Sequence, residues 1–218
     1  MMLVRDIMQT HPVSATLETR LPHLLRLLQR RGFRHLPVVD SGKLVGIISD
    51  RDLKQSMISA ASTTEGRERA RLLEELTAGQ IMARTVVTIG PMFGVEEAAR
   101  LMATRKISAL PVTEGDRLVG IVTETDVLHL FVRAMGVLEP SSRLDVILRD
   151  QTAGLGEVVR AVEEVGSRVS SVMTLAMPTG EREVVLRLAT INPGPAVKAL
   201  QAKGYVVRDA DRGAPAAP

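Results

Sequence analysis

The chain has 218 residues, 45% of them hydrophobic and 24% charged, a composition ordinary for one or two folded domains. It contains no cysteine, which excludes disulfides, thiolate catalysis and cysteine-type zinc sites and fits a reducing, cytoplasmic setting. The pI is about 9.7, but 28 Lys+Arg against 25 Asp+Glu leave a formal charge of only +3, and with 2% aromatics no clustered, base-stacking nucleic-acid face is indicated.

In chain order, Val4 to Met8 is an apolar lead-in and Pro12 to Ala15 reads as a strand edge. Leu21, Leu24, Leu25 and Leu28 recur at helical spacing, with Thr19 as a candidate N-cap and Gly32 as the stop. Leu36 to Asp40 and Leu44 to Ser49, parted by Ser41-Gly42-Lys43, form a hairpin pattern, and Asp50 to Met57 starts a helix. Ser59 to Thr64 is small and polar, and Glu65 to Leu76 is a charged helix with Leu72, Leu73 and Leu76 as its apolar edge. The order then returns: a strand at Val86 to Ile89, a helix with Val95, Ala98, Ala99 and Met102 inward, a hairpin over 108–123, and a helix from Asp126 to Met135 ended by Gly136. The opening residues are charged and periodic, and no run approaches the roughly 18 apolar residues a bilayer span needs, so neither secretion nor membrane insertion is expected.

Beyond Pro140 the rhythm changes. Leu144 to Leu148 reads as strand, and Gly156 to Gly166 as helix with Val158, Val159, Val162 and Val165 inward. Strands at Val169 to Met177 and Val184 to Thr190, a helix at Ala196 to Lys203 and a strand at Tyr205 to Arg208 complete a βαββαβ order, the split βαβ of ferredoxin-like domains.

The two hairpin segments are copies. Residues 7–53 laid over 81–127 at a constant shift of 74 need no gap and agree at 14 of 47 positions. Identities cluster at Ile7-Met8, Leu36-Pro37-Val38, Leu44-Val45-Gly46-Ile47 and Asp52, matched by Ile81-Met82, Leu110-Pro111-Val112, Leu118-Val119-Gly120-Ile121 and Asp126. Neither copy is expected to be complete alone. The pattern of hydrophobic-Pro-Val, short turn, Val-Gly-Ile, then Ser/Thr-x-x-Asp resembles the cystathionine-beta-synthase (CBS) motif, and two copies resemble a CBS pair. The third part resembles an ACT domain through Asp150-Gln151-Thr152-Ala153-Gly154-Leu155, and the whole order is similar to acetoin-utilisation AcuB-type proteins. The expected fold is α+β: two βαββα repeats plus a ferredoxin-like, ACT-like domain. The expected boundaries are 1–58, a connecting segment 59–76, 77–136, a linker 137–142, the ACT-like part 143–209 and a disordered tail 210–218.

Ser49 with Asp52, and Thr123 with Asp126, put a hydroxyl and a carboxylate on the first turn after a strand. Backbone N–H groups and the helix dipole there favour phosphate, and a carboxylate can accept both ribose hydroxyls; the competing reading is plain helix capping. The resemblance implies that Leu36-Pro37 and Leu110-Pro111 line base pockets, with the backbone of His35 and Ala109 offered to adenine edges. Arg34, His35 and Arg51 stand where the second copy has Ser108, Ala109 and Thr125, so unequal sites are expected. Gly154 and Leu155 could offer amides to a small effector's carboxylate, or form a tight turn with a core leucine. His11, His23, His35 and His129 lie apart, no carboxylate stands at metal-ligand spacing from them, and no nucleophile with its base is evident. The resemblance therefore implies a non-enzymatic, cytoplasmic regulatory homodimer acting on a target protein. Its ligand would be AMP, ADP, ATP or another adenosyl compound, with no other cofactor and no metal; a nucleic-acid-binding or transcription-regulating protein is the alternative.

Overall fold

The computed structural model describes residues 2–31, 33–63, 65–148 and 154–209. Gly32, Asp150 and the tail 210–218 therefore lie outside the described residues. The chain divides into two compact units, 1–128 and 129–218.

In the first unit, helix α1 (Val4–Ile7) and strand β1 (Gln9–Thr10) lead into helix α2 (Leu21–Arg31), the hairpin β2 (His35–Asp40) and β3 (Lys43–Ser49), and helix α3 (Asp50–Thr63). Helix α4 (Gly66–Glu75) connects the copies; the second copy runs α5 (Ala78–Ile81), α6 (Val95–Arg105), β4 (Ala109–Glu114), β5 (Arg117–Thr123) and α7 (Glu124–Ala134), whose residues after Leu128 belong to the second unit. The β2–β3 turn needs left-handed backbone at both Ser41 (φ 50) and Gly42 (φ 81), as a two-residue hairpin loop of the primed kind demands. Helix α3 continues to Thr63, so the stretch expected as a polar connector is largely helical.

Further expectations need correction. Thr19 does not cap α2: its hydroxyl accepts the Thr16 N–H at 2.9 Å within the preceding turn, and the helix begins at Leu21. The strands expected at 12–15 and 86–89 shrink to single parallel bridges, Ala15 to Val38 and Ile89 to Val112. Pro37 and Pro111 are the cause, because each accepts one bond on its carbonyl (from Ala15 N at 2.9 Å and Ile89 N at 3.1 Å) but has no N–H to extend the ladder.

The two copies exchange their lead-ins. Strand β1 pairs with β5 of the other copy (Gln9 with Ile121, Thr10 with Gly120), while Ala83 bridges Ile47 on β3, its N–H and C=O bonding Ile47 at 3.0 and 3.1 Å. Val4, fully buried, packs with Ile89, Ala98, Met102, Leu110, Val112 and Val122, so the first lead-in completes the second core. Ala78 and Met82 reciprocally join Leu21, Leu24, Leu36, Val38, Ile48 and Leu53. Each core lacks part of its wall without the other copy, so a copy taken alone would leave apolar core surface uncovered. The hairpins also meet at their tips, through Lys43 paired with Arg117 and Leu44 N to Asp116 O at 2.9 Å.

The second unit contains β6 (Ser142–Leu148), α8 (Leu155–Glu163), β7 (Val169–Ala176), β8 (Arg182–Leu188), α9 (Gly194–Ala202) and β9 (Val206–Asp209). The strands lie in the order β7-β8-β6-β9, all neighbours antiparallel. Alternation along β6 and β8 sends Leu144, Val146, Leu148, Val184, Leu186 and Leu188 against Val158, Ala161, Val162, Ala196 and Leu200 of the two helices. Val165, expected inward, is 41% exposed: α8 stops at Glu163, Gly166 turns the chain at φ 77, and Ala161 takes the core place instead.

Candidate functional site

The ends of β3 and β5 deliver the two hydroxyl–acid pairs to equivalent places. Ser49 donates its N–H (2.7 Å) and hydroxyl (2.6 Å) to Asp52 Oδ2, and the Asp52 N–H returns to Ser49 Oγ at 3.3 Å. Thr123 and Asp126 repeat this arrangement at 2.8, 2.6 and 3.4 Å. Each pair is a reciprocal cap on α3 or α7. Capping engages only Oδ2 of each acid; among the described residues no hydrogen bond reaches Oδ1, so capping and ligand contact are compatible.

Two clefts lie between the copies, and each is composite. The Asp52 cleft, about 560 Å³, is walled by Ser49, Asp50, Arg51, Asp52 and Lys54 from the first copy and by Lys106, Ile107, Ser108 and Ala109 from the second. The Asp126 cleft, about 210 Å³, sets Thr123, Thr125 and Asp126 against Pro12, Val13, Phe33 and Pro37 of the first copy. Arg34 and His35, at the start of β2, line both clefts. His35 Nε2 and Ser108 Oγ, 3.0 Å apart, join the copies at this shared partition.

Of the residues anticipated from sequence, Ser49, Arg51, Asp52, Arg34, His35, Ala109, Pro37, Thr123 and Asp126 line a cleft. Leu36 and Leu110 do not: both are fully buried in the cores, and Pro111 lines neither cleft. Period-two alternation explains the two leucines, since His35 and Pro37 share one side of β2 while Leu36 and Val38 take the other. Lys106 was not anticipated. It occupies the left-handed C-cap of α6 (φ 55), aligned with Gly32, and that helix-stop position next to a strand entry is the signal that could have found it. In the second unit Gly154 is the N-cap of α8 and Leu155 is 37% exposed, so Leu155 is not a core residue; Asp150 lies outside the described residues. Among the described residues no group of three His, Asp or Glu could hold a metal ion, and no helix is long and apolar enough to cross a membrane.

Burial, and next the Arg34 guanidinium, hold the His35 imidazole below its ordinary pKa of 6.5, against Asp50, Asp52 and Glu124, which pull it up. The unfolded chain therefore takes up the proton more readily, and the stability tied to neutral His35 is complete above pH 6.5 and lost as pH falls below it. The thermal midpoint is expected to fall from about pH 7.5 to 5.5, and His35→Gln to flatten that fall. An unchanged profile in the variant would assign the dependence to other groups.

A duplicated α+β unit that completes its cores by exchange and opens two clefts at repeated hydroxyl–acid turns defines a tandem-repeat module with two clefts between its copies. The chain belongs to the CBS-domain family, whose model matches residues 4–59 and 78–133. It is 34% identical over 142 residues to a CBS domain-containing protein of Dictyostelium discoideum, covering 64% of this chain and 98% of that one. Among solved structures it resembles an acetoin utilization protein (AcuB) of Vibrio cholerae, with TM-score 0.54 and 31% identity over 63% of this chain and 95% of the other. It also resembles the CBS domain pair of protein MJ0100 in complex with 5′-methylthioadenosine and S-adenosyl-L-methionine, with TM-score 0.50 and 32% identity over 60% and 95% of the respective chains. Against curated enzymes that carry similar stretches the chain spans only a small part, 26% of inosine-5′-monophosphate dehydrogenase of Korarchaeum cryptofilum.

Proposed function

We propose that this chain is a non-enzymatic regulatory protein that senses an adenosyl compound in the clefts of its CBS pair. The observation that carries the reading is the duplicated Ser/Thr–Asp turn, which presents helix-terminal N–H groups and a carboxylate at both clefts, a combination suited to phosphate and ribose diol together. The adenosyl ligands of the MJ0100 domain pair support the choice of nucleoside. In this reading Asp52 and Asp126 accept ribose hydroxyls, Ser49, Thr123, Arg34 and Arg51 serve the phosphate side, and Pro37 and the backbone of His35 and Ala109 meet the base.

The second unit acts as a ferredoxin-like, ACT-like domain that dimerises the chain or takes a second effector near Gly154 and Leu155, and the regulated process belongs to acetoin or acetate metabolism. Supporting this are the βαββαβ order, the β7-β8-β6-β9 sheet and the likeness to the Vibrio protein. A homodimer is favoured by exposed Met92, Phe93 and Leu128 on the first unit and by open sheet edges at β7 and β9 on the second. Light scattering at micromolar concentration should give twice the chain mass; a monomer would exclude the dimer.

The sensing role is tested by thermal shift with AMP, ADP, ATP, NAD and S-adenosylmethionine. At 100 times its Kd a true ligand adds about 2.7 kcal/mol of stability, a shift of several degrees. A flat response to the whole panel would reject adenosyl sensing.

A further inference from the structure

We propose that the two clefts divide adenosyl ligands by phosphate content and that Arg34 couples them, an inference that rests on the adenosyl reading above. The Asp52 cleft gathers Arg34, Arg51, Lys54 and Lys106 against Asp50 and Asp52. Lys54 Nζ is already matched to Asp50 Oδ2 at 3.3 Å, whereas among the described residues Arg34, Arg51 and Lys106 form no ion pair. Setting one of these three cations against Asp52 leaves two positive charges in the larger cleft, which suits a polyphosphate chain.

The Asp126 cleft has less than half that volume and walls of Pro12, Val13, Phe33, Pro37 and Ile121. Among the described residues its lining holds one cation, Arg34, and one acid, Asp126, so no charge is left over for a phosphate chain. This cleft suits an adenosyl group with an uncharged tail, or at most one phosphate. Because Arg34 lines both clefts, one guanidinium cannot bind a phosphate in the first and offset Asp126 in the second at once. A polyphosphate in the Asp52 cleft withdraws it, so an anionic ligand loses affinity for the Asp126 cleft while an uncharged one does not.

Titration calorimetry on the full chain with ATP, AMP and 5′-methylthioadenosine tests this, with Asp52→Ala and Asp126→Ala assigning each heat to its cleft. ATP should bind the Asp52 cleft at least about tenfold more tightly than the Asp126 cleft. Saturating ATP should weaken AMP at the Asp126 cleft about tenfold and leave 5′-methylthioadenosine unchanged, and Arg34→Met should abolish the ATP effect on AMP. Equal ATP affinity in both clefts, or antagonism that survives Arg34→Met, overturns the division alone. Absence of binding by all three compounds overturns the adenosyl reading, and the division with it.

Discussion

Replacing Asp52 or Asp126 by alanine is expected to weaken adenosyl binding at its own cleft by about ten- to a hundredfold. A lost hydrogen bond to a charged group is worth roughly 1.5 to 3 kcal/mol, which converts to that range. The same substitution also removes a cap, at about 1 kcal/mol, because Asp52 Oδ2 receives both the Ser49 N–H and hydroxyl, as Asp126 Oδ2 does from Thr123. Ser49→Ala and Thr123→Ala separate the two effects: each breaks the reciprocal cap but keeps the carboxylate, and loses at most one neutral donor to the ligand. Affinity in these hydroxyl variants should fall only about two- to tenfold. Calorimetry showing equal losses in the acid and hydroxyl variants would mean the acids act through the helix ends and not on the ribose.

Much of the fold could be read from local chemistry. The Ser41-Gly42 turn, the leucine face of α2 and the alternating cores of β6 and β8 follow from short-range spacing that the sequence displays directly. Long-range pairing was not so displayed. Ile7-Met8 and Ile81-Met82 are identical, so nothing in the residues says that each joins the opposite copy's strand, and the exchange appears only in three dimensions. The charged corners of the clefts are displayed in the sequence, since Asp52 and Asp126 stand at one repeated offset from the Val-Gly-Ile strand and each lines a cleft. Leu36 and Leu110 are the exception, because a contiguous motif does not display which of its residues face the core, and adjacent strand residues face opposite ways. The composite character of the clefts, with Lys106 brought from the second copy to the first copy's acid, likewise depends on packing between the copies.

Alanine at Gly46 or Gly120 is expected to destabilise the first unit by about 1 to 3 kcal/mol each, a drop of several degrees in Tm, because these glycines are where the exchanged lead-ins touch down. A Cβ on Gly120 would stand 2.6 Å from Met8 Sδ, 3.2 Å from its Cγ and 3.1 Å from Gln9 O. On Gly46 it would overlap Met82 Sδ and lie 2.8 Å from its Cγ and 3.0 Å from Ala83 O. The thioether ends can swing aside, as methionine readily does. The carbonyls cannot follow easily, since Ala83 is bonded on both its N–H and C=O to Ile47 and Gln9 is held in register with Ile121. Backbone must therefore separate, and it is the other copy's lead-in that is pushed away, opening the core that Val4 or Met82 closes. A double-mutant cycle distinguishes this from a generic loss of strand quality. Gly46→Ala combined with Met82→Ala should cost clearly less than the sum of the two single changes, because truncating the methionine removes two of the three close contacts. Strict additivity in denaturant unfolding would show that the methionine and the glycine do not meet, and that the duplicated Val-Gly-Ile owes its glycine to something else.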